Sequence, residues 1–455
     1  MTHVTGDSRR PLTGWGRTAP TVASVARADS VDAVVAAVRS AHGRGIIGRG
    51  LGRSYGDAAQ NAGGVVVDLT RLDAVHRIDP DAATVEVAAG VSLDALIRRL
   101  LPDGLWIPVL PGTRQVTVGG AIAADVHGKN HHVDGSFGAH VADLDLVTAD
   151  GAVRRCGPAG PDAELFWATV GGMGLTGVVV RATLRLHRVE SAYFAVDTER
   201  ARDLDDLMHR LDRDDDAYPY SVAWFDSVAT GRRLGRAVIT RGRSARVDEL
   251  PPRLRPDPLR FDAPRLGTVP PGLPSGLLNR LSARAFNELW FRKAPRLRRD
   301  EIQNVTEFFH PLDVLADWNR AYGPRGFCQY QFVVPFGAED ALRTAVRRIA
   351  WSGHVSCLNV LKRFGPGDPA PLSFPTAGWT LAVDIPVRPG LDRLFDALDE
   401  LVLDAGGRVY LAKDARLPAA TMHRMYPRLD EFRKVRAQVD PAGVFRSDLA
   451  RRLDL

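Results

Sequence analysis

A two-domain α+β architecture is predicted by three features of the sequence. Helix and strand signals alternate, with short connections, over roughly the first 190 residues. Beyond Glu190 the texture changes and a proline-rich basic stretch intervenes. After Asp300 period-two strand patterns return. The 455 residues, 45% hydrophobic and 25% charged, are an ordinary globular composition with ample length for two cores.

The elements follow in order. Ser30 precedes an apolar-periodic run from Val31 to Ala41 that closes at Gly43, the order of an N-cap, a helix and a C′ glycine. A short strand then enters a glycine-rich stretch at Gly45. Val65 to Leu69 and Thr84 to Ala88 read as strands. Ser92 caps a second helix, Leu93 to Leu101, which Pro102 and Gly104 stop. Asp143 to Thr148 and Gly177 to Leu184 read as further strands, as do Ser191 to Asp197 and Tyr220 to Phe225. Gln329 to Val334 alternates polar and apolar, so Gln329 and Gln331 share a face. Trp379 to Pro386 is another strand, and short helices run to Leu455.

Residues 251–300 stand apart. They hold nine prolines, eleven Lys or Arg and four Asp or Glu, interspersed with Leu277, Leu278, Leu281, Phe286, Leu289, Trp290 and Phe291. They read as a long surface insertion, either a plain loop or a basic, apolar segment that docks on an anionic membrane or a lipid-linked substrate.

Composition removes several classes. Cys156, Cys328 and Cys357 share no spacing of a disulfide framework or zinc site. His127 and His131 have HxxxH spacing, but Gly128 breaks the helix such a metal site requires. Met1 to Pro20 carries Arg9, Arg10 and Arg17 without an apolar core, a poor secretory signal. No run of about 18 apolar residues is present to span a bilayer. The reading is a cytoplasmic protein or one peripheral at the inner membrane, with a cell-envelope location open. The net charge of +6 either needs no partner or suits the phosphate groups of a cofactor or substrate, or anionic lipid. No basic helix interleaved with aromatics is present, so nucleic acid is not an expected partner.

Three small-residue stretches carry the chemistry. The first is Gly48-Arg49-Gly50-Leu51-Gly52-Arg53-Ser54-Tyr55-Gly56-Asp57, followed by Ala58. Its glycines let backbone amides approach a diphosphate. Its third glycine comes too early for GxGxxG, and no helix opens inside it, so a Rossmann site fits poorly. The second runs from Pro111 and Gly112 through Thr117, Val118, Gly119 and Gly120 into Ala124, Asp125, Val126 and His127. Its small residues permit close contact with a flat ligand. The third is Gly171 to Gly177.

Together these stretches resemble the FAD domain of the vanillyl-alcohol-oxidase-type flavoprotein superfamily. Within it, Gly50 to Asp57, Ala124 to His132, Leu361 to Phe364, Pro371 to Pro375, Tyr410 to Asp414 and Phe445 to Leu449 resemble the decaprenylphosphoryl-β-D-ribose oxidase family over nearly the whole chain. The resemblance implies a split FAD-binding domain, residues 1–191 and 408–455, around a substrate domain, residues 192–407, with an antiparallel sheet. It implies FAD held by Gly48 to Ala58, Gly112, Thr117 to Gly120, Ala124 to His127, Val179 and Tyr410. Arg53 stands where many members of the superfamily carry a flavin-linking histidine, which implies non-covalent FAD.

The activity implied is oxidation of the 2′-hydroxyl of a polyprenylphosphoryl-β-D-ribose to the 2′-keto sugar. This is the first half of an epimerisation toward cell-wall arabinan. The implied partners are a separate NADPH-dependent short-chain reductase and an anionic membrane surface, with quinone or oxygen re-oxidising the flavin. The alternative is an oxidase of a soluble sugar, alditol or aldonolactone. A third possibility, a flavin-free nucleic-acid binder, would show steep salt dependence.

Lys413, His127 and Tyr55 are the catalytic candidates. Lys413 suits either a proton acceptor or a charge that stabilises an alkoxide. Lys362, Gln329, Gln331, Trp224, Phe364, Thr380, Ala382 and Lys413 are the candidates for substrate contact, with Lys362 toward the lipid phosphate. Thr380 and Ala382 stand where some family members carry asparagine and cysteine, which puts susceptibility to thiol-directed inhibitors in doubt.

Overall fold

A computed structural model describes residues 8–455. Met1 to Asp7, part of the segment read for a leader and for the first domain, lie outside the described residues. The N-terminal region holds two larger sheets and a two-stranded pairing of Leu105–Trp106 with His187–Arg188. Strands β1 (Ser8–Leu12), β2 (Thr21–Arg27), β3 (Ile46–Arg49) and β4 (Val65–Asp68) form the first, in the order β1-β2-β4-β3. β4 runs parallel to both β2 and β3. Strands β5 (Val75–Asp79), β6 (Thr84–Ala88), β7 (Val141–Val147), β8 (Val153–Cys156) and β9 (Val178–Arg185) form the second, in the order β5-β6-β9-β7-β8.

Local signals set the helices here. Helix α1 (Val31–Arg39) starts where the Ser30 hydroxyl accepts the Ala33 N–H. Helix α2 (Leu93–Leu100) starts where Ser92 accepts from Ala95. Both end before the last residue their apolar pattern predicts. After α2, Leu101–Asp103 tightens into a 3-10 turn, and Gly104 takes φ +65°, a conformation open to a residue without Cβ.

The second domain is built on one eight-stranded sheet. Its strands are β10 (Tyr193–Ala201), β11 (Tyr220–Phe225), β12 (Ala237–Ser244), β13 (Leu297–Asn304), β14 (Phe327–Pro335), β15 (Asn359–Phe364), β16 (Gly378–Pro386) and β17 (Arg408–Val409). The order is β13-β10-β12-β11-β15-β16-β14-β17, with antiparallel pairing. Helices α4 (Leu204–Asp214), α6 (Glu339–Trp351) and α7 (Leu391–Asp404) pack against this sheet. On the α7 side the Tyr330 hydroxyl donates to Asp399 at 2.8 Å and its ring packs on Phe395. Leu361, Leu381, Val383 and Phe332 are buried as well.

Residues 251–300 are not the loop that their prolines predict. Turns and irregular backbone occupy most of 251–279, but helix α5 (Arg280–Lys293) follows, with the Asn279 side chain accepting the Leu281 and Ser282 N–H groups. The edge strand β13 begins at Leu297. The prolines stop at Pro274 and resume at Pro295, leaving room for one uninterrupted helix.

From Tyr410 the chain returns to the N-terminal region. Ile46 bridges to Phe445 in parallel. In helix α8 (Asp448–Leu453), Arg452 donates to Asp57 at 2.7 Å and to Asp414 at 2.8 Å. Asp448 accepts the Ala62 N–H.

Candidate active site

Strand register assembles the substrate side. Across β14 and β16, Gln329 lies opposite Asp384, and Gln331 opposite Ala382. Across β15 and β16, Lys362 lies opposite Thr380 and Val360 opposite Ala382. Across β11 and β15, Trp224 lies opposite Val360. Directly paired residues point the same way, and so do residues two apart on one strand. Trp224, Gln329, Gln331, Lys362, Phe364, Thr380, Ala382 and Asp384 therefore share one sheet face, opposite the face bearing Tyr330 and Phe332.

His127 closes on that face. It is 8% exposed, with its ring 4.7 Å from that of Phe364 and 5.5 Å from that of Tyr410. Gln331 Nε2 lies 2.9 Å from His127 Nε2, and Lys362 Nζ lies 3.1 Å from Nδ1. Burial holds the imidazole well below its ordinary pKa, helped by the nearby lysine charges. A neutral ring carries a single N–H, so both neighbours cannot donate to it. Burial, with repulsion from Lys129 and Lys413, brings Lys362 down to about 7. One arrangement then satisfies every contact. Gln331 donates to Nε2, Nδ1–H donates to a neutral Lys362 amine, and that amine donates to the Gly128 carbonyl at 3.2 Å. Lys362, the expected partner of the lipid phosphate, contacts His127 and the Gly128 carbonyl.

Lys413 follows β17 in a tight turn, its N–H bonded to the Tyr410 carbonyl. Its ammonium sits 3.9 Å from the centre of the Tyr55 ring. Burial lowers Lys413 to about 8, opposed by the Asp384 carboxylate. Asp384 is 1% exposed and is pushed up to about 7 by burial, against the Gln329 amide that donates to it and the Lys413 charge. Burial also puts the Tyr55 phenol far above its ordinary value. Trp224 lies further along the face, its indole N–H donating to the Cys357 carbonyl at 3.0 Å.

Two residues that the sequence reading passed over belong with this group. Asp384 lies two positions after Ala382, so alternation along β16 already places it on the same face. Lys129 lies two positions after His127; its ammonium sits 4.1 Å from the centre of the Phe308 ring, and burial brings it to about 7.

The first glycine loop joins the two halves. Its amide at Tyr55 donates to the Ala412 carbonyl at 2.9 Å, and Trp15 and Gly16 donate to Ser54 and Tyr55. From Gly50 to Ala58, only the Tyr55 N–H finds a carbonyl among the described residues. The other loop amides remain available to an anion, as a diphosphate cradle requires. A Cβ on Gly50 would lie 2.1 Å from Thr117 Oγ1, so the two glycine loops are in contact. The second loop spends its amides internally: Val118 on Val91, Gly119 on Ala89 and Gly120 on the Thr117 hydroxyl, which caps helix α3 (Val118–Ala123). It offers a close-packed surface rather than donors. These features fit FAD, a diphosphate joined to a flat ring.

Several predicted cofactor residues have packing duties. Gly48 lies within β3, where a Cβ would press on Leu69 and Val178. Arg49 donates to the Thr13 and Ala59 carbonyls. Arg53 lies over the Trp15 ring, and Leu51 is exposed. Asp57 is paired to Arg452. The Asp125 carboxylate turns inward, accepting from Ser136, Gly138 and Ser373. Ala58, Val126 and Val179 are buried. The Tyr410 hydroxyl donates to the Ala124 carbonyl at 2.7 Å. A Cβ on Gly112 would meet no protein atom within 4 Å.

Comparison with known proteins agrees with this layout. A family model described as FAD binding domain matches residues 22–157, and one described as D-arabinono-1,4-lactone oxidase matches residues 367–453. Decaprenylphosphoryl-beta-D-ribose oxidase of Mycolicibacterium smegmatis is 54% identical over 448 residues, covering 98% of this chain and 97% of that protein. Alditol oxidase of a Streptomyces species is 28% identical over 88% of this chain and 89% of its own. L-gulono-1,4-lactone dehydrogenase of Mycobacterium tuberculosis is 25% identical over 89% of each chain.

Proposed function

The chain belongs to the decaprenylphosphoryl-β-D-ribose oxidase family of FAD-dependent oxidoreductases, and on that premise we propose that it oxidises the 2′-hydroxyl of a polyprenylphosphoryl-β-D-ribose to the 2′-keto sugar. The carrying observation is the charge of the site. Lys129, Lys362 and Lys413 are driven toward neutrality chiefly by burial, and Asp384 is the acid beside them. A phosphate beside Lys129 and Lys362 would favour their charged forms, so this end of the site suits an anionic substrate, while Lys413 stays free to take a proton. A neutral alditol or lactone would bring no such charge.

Bound FAD supplies the hydride acceptor; the side chains supply position and the proton path. Gln329, Gln331 and Thr380 offer hydrogen bonds to sugar hydroxyls from a rigid sheet. Lys413 Nζ, near 8, is neutral in a useful fraction at physiological pH and accepts the hydroxyl proton. The Tyr55 ring stabilises the ammonium so formed. Asp384 sets the basicity of that amine. His127, locked between Gln331 and Lys362, fixes the back of the pocket. Ala382 leaves the centre of the face open and without a thiol.

The domain division proposed is 1–191 with 408–455 for FAD and 192–407 for substrate. The proposed setting is the surface of an anionic membrane, with a separate NADPH-dependent short-chain reductase taking the keto product. Among the described residues no helix is long and apolar enough to cross a membrane.

Anaerobic addition of a polyprenylphosphoryl ribose to the FAD-loaded protein should bleach the flavin band near about 450 nm. Lys413→Ala should slow that bleaching by about 10² to 10⁴-fold, the range for removing a general base. A flavoprotein that ignores this substrate and bleaches with a free alditol would refute the proposal.

A further inference from the structure

Helix α5 carries a row of exposed large apolar side chains that the site does not use. Leu281 and Leu289 are 80% and 69% exposed, and Phe286 and Trp290, stacked on each other, are 42% and 41% exposed. At 100° per residue these four side chains span one half of the helix, while Ala283 and Asn287 bury the other. Residues 280–299 contain seven cations, Arg280, Arg284, Arg292, Lys293, Arg296, Arg298 and Arg299, and a single acid, Glu288. This short segment alone carries a net charge equal to the +6 of the entire chain. Glu288 is already paired with Arg236 and Arg292.

Behind the C-terminal end of α5 lies a groove of about 390 Å³. It is lined by Arg200, Arg202, Arg210, Arg296, Phe291 and Leu297, with Glu199 at its floor. Arg202 and Arg210 share Asp206, and Arg210 is also paired with Glu199. Arg200 spends its donors on the Arg292 and Ala294 carbonyls and has no carboxylate. Arg296 has no carboxylate partner among the described residues. The groove therefore keeps uncompensated positive charge beside two apolar walls.

The helix also leads to the active site. Leu278, just before its cap, packs in a cluster with Tyr55, Tyr322 and Phe327. Near its other end Trp290 meets Trp224, on the substrate face of the sheet, at 6.5 Å between rings.

We propose that α5 lies in the surface of an anionic bilayer, with Leu281, Phe286, Leu289 and Trp290 at the acyl boundary, and that the arginine groove seats one anionic phospholipid headgroup. The occupant is chosen by charge complementarity. Arg292 is paired with Glu288 and Arg298 with Glu301; a neutral surface would leave the other five cations unsatisfied, and a free phosphate would leave the apolar row exposed. The proposal builds on the lipid-linked substrate reading, since it gives that substrate a short path from membrane to site.

The test is sedimentation of FAD-loaded protein with phosphatidylcholine vesicles, plain or with phosphatidylglycerol. The protein should bind the anionic vesicles at least tenfold more tightly and release in high salt. Arg296→Glu should weaken that binding roughly 30-fold, the effect of two elementary charges near a membrane surface. Leu289→Asp should weaken binding to both vesicle types. Both variants should keep wild-type flavin absorbance and turn over detergent-dispersed substrate at the wild-type rate. Equal affinity for the two vesicles, no loss in Arg296→Glu, or full competition by millimolar inorganic phosphate would each overturn the proposal. Failure of the wild type to oxidise the dispersed substrate would instead refute the substrate reading and leave the vesicle result standing.

Discussion

Replacing Gly56 by alanine puts a methyl group into the seam that joins the two parts of the FAD domain. The added Cβ would lie 2.0 Å from the Asp414 carbonyl oxygen and 2.8 Å from the Ala415 Cα. Both obstacles are backbone, so relief requires moving the 412–415 turn by over ~1 Å to reach ordinary contact distance. The loop cannot retreat the other way, because a Cβ on Gly14 would already be 2.1 Å from the Gly56 carbonyl oxygen. Overpacking of this kind costs about 1–3 kcal/mol. Loss of the bond from Tyr55 N–H to Ala412 adds about 1 kcal/mol. A fall in Tm of roughly 2–4 °C follows for a protein of this size. The same turn carries Lys413, and a displacement near 1 Å costs on the order of 10²-fold in rate. Differential scanning calorimetry and single-turnover flavin reduction read the two effects. Gly112→Ala is the control, since its Cβ meets nothing; its apo Tm should be unchanged. A Gly56→Ala protein with wild-type Tm and wild-type reduction rate would show that the seam is not tight and that Lys413 is not placed by it.

Other substitutions probe the charges. The rate of flavin reduction should rise with pH to an apparent pKa near 8, as Lys413 loses its proton. Asp384→Asn should move that limb to lower pH by removing the charge that holds the lysine up; an unmoved limb would mean that the carboxylate does not act on Lys413. The buried lysines also couple stability to pH. Lys362 has a folded value of about 7 against about 10.4 unfolded, so between these values the unfolded chain holds a proton that the folded one has lost. Stability therefore rises with pH across that window and falls as pH drops toward 7. Lys362→Met leaves His127 Nδ1 and the Gly128 carbonyl without a partner at every pH, but relative to wild type it should be more stable at pH 6 than at pH 10 by on the order of 3 kcal/mol; denaturant midpoints at the two pH values decide it. Arg452→Ala leaves Asp414 buried without its cation and should cost about 3 kcal/mol, seen as a lower denaturation midpoint together with weaker FAD retention.

Short-range physics made much of this protein legible in its sequence. Ser30 and Ser92 cap their helices through bonds to residues three positions on, and a pattern that local needs no fold to be read. Alternation put Gln329 and Gln331 on one face, and the same rule would have added Asp384 from Ala382. Asn279 and Ser282, with Leu281 and Leu289 beyond, held the signal for α5, which the surrounding prolines masked. The glycine spacing and the family motifs indicated FAD and the oxidase chemistry. Register is different: nothing local in Lys362 or Thr380 sets them opposite each other, because pairing is fixed by which core faces bury together. His127 and Lys362 meet across 235 residues, and Lys413 reaches Tyr55 only because the C-terminal segment folds back onto the first loop. The shifted ionisation of Lys129, Lys362, Lys413 and Asp384 likewise belongs to the tertiary structure. A side chain's charge is written in the sequence, but its desolvation and its neighbours exist only once the chain has closed around it.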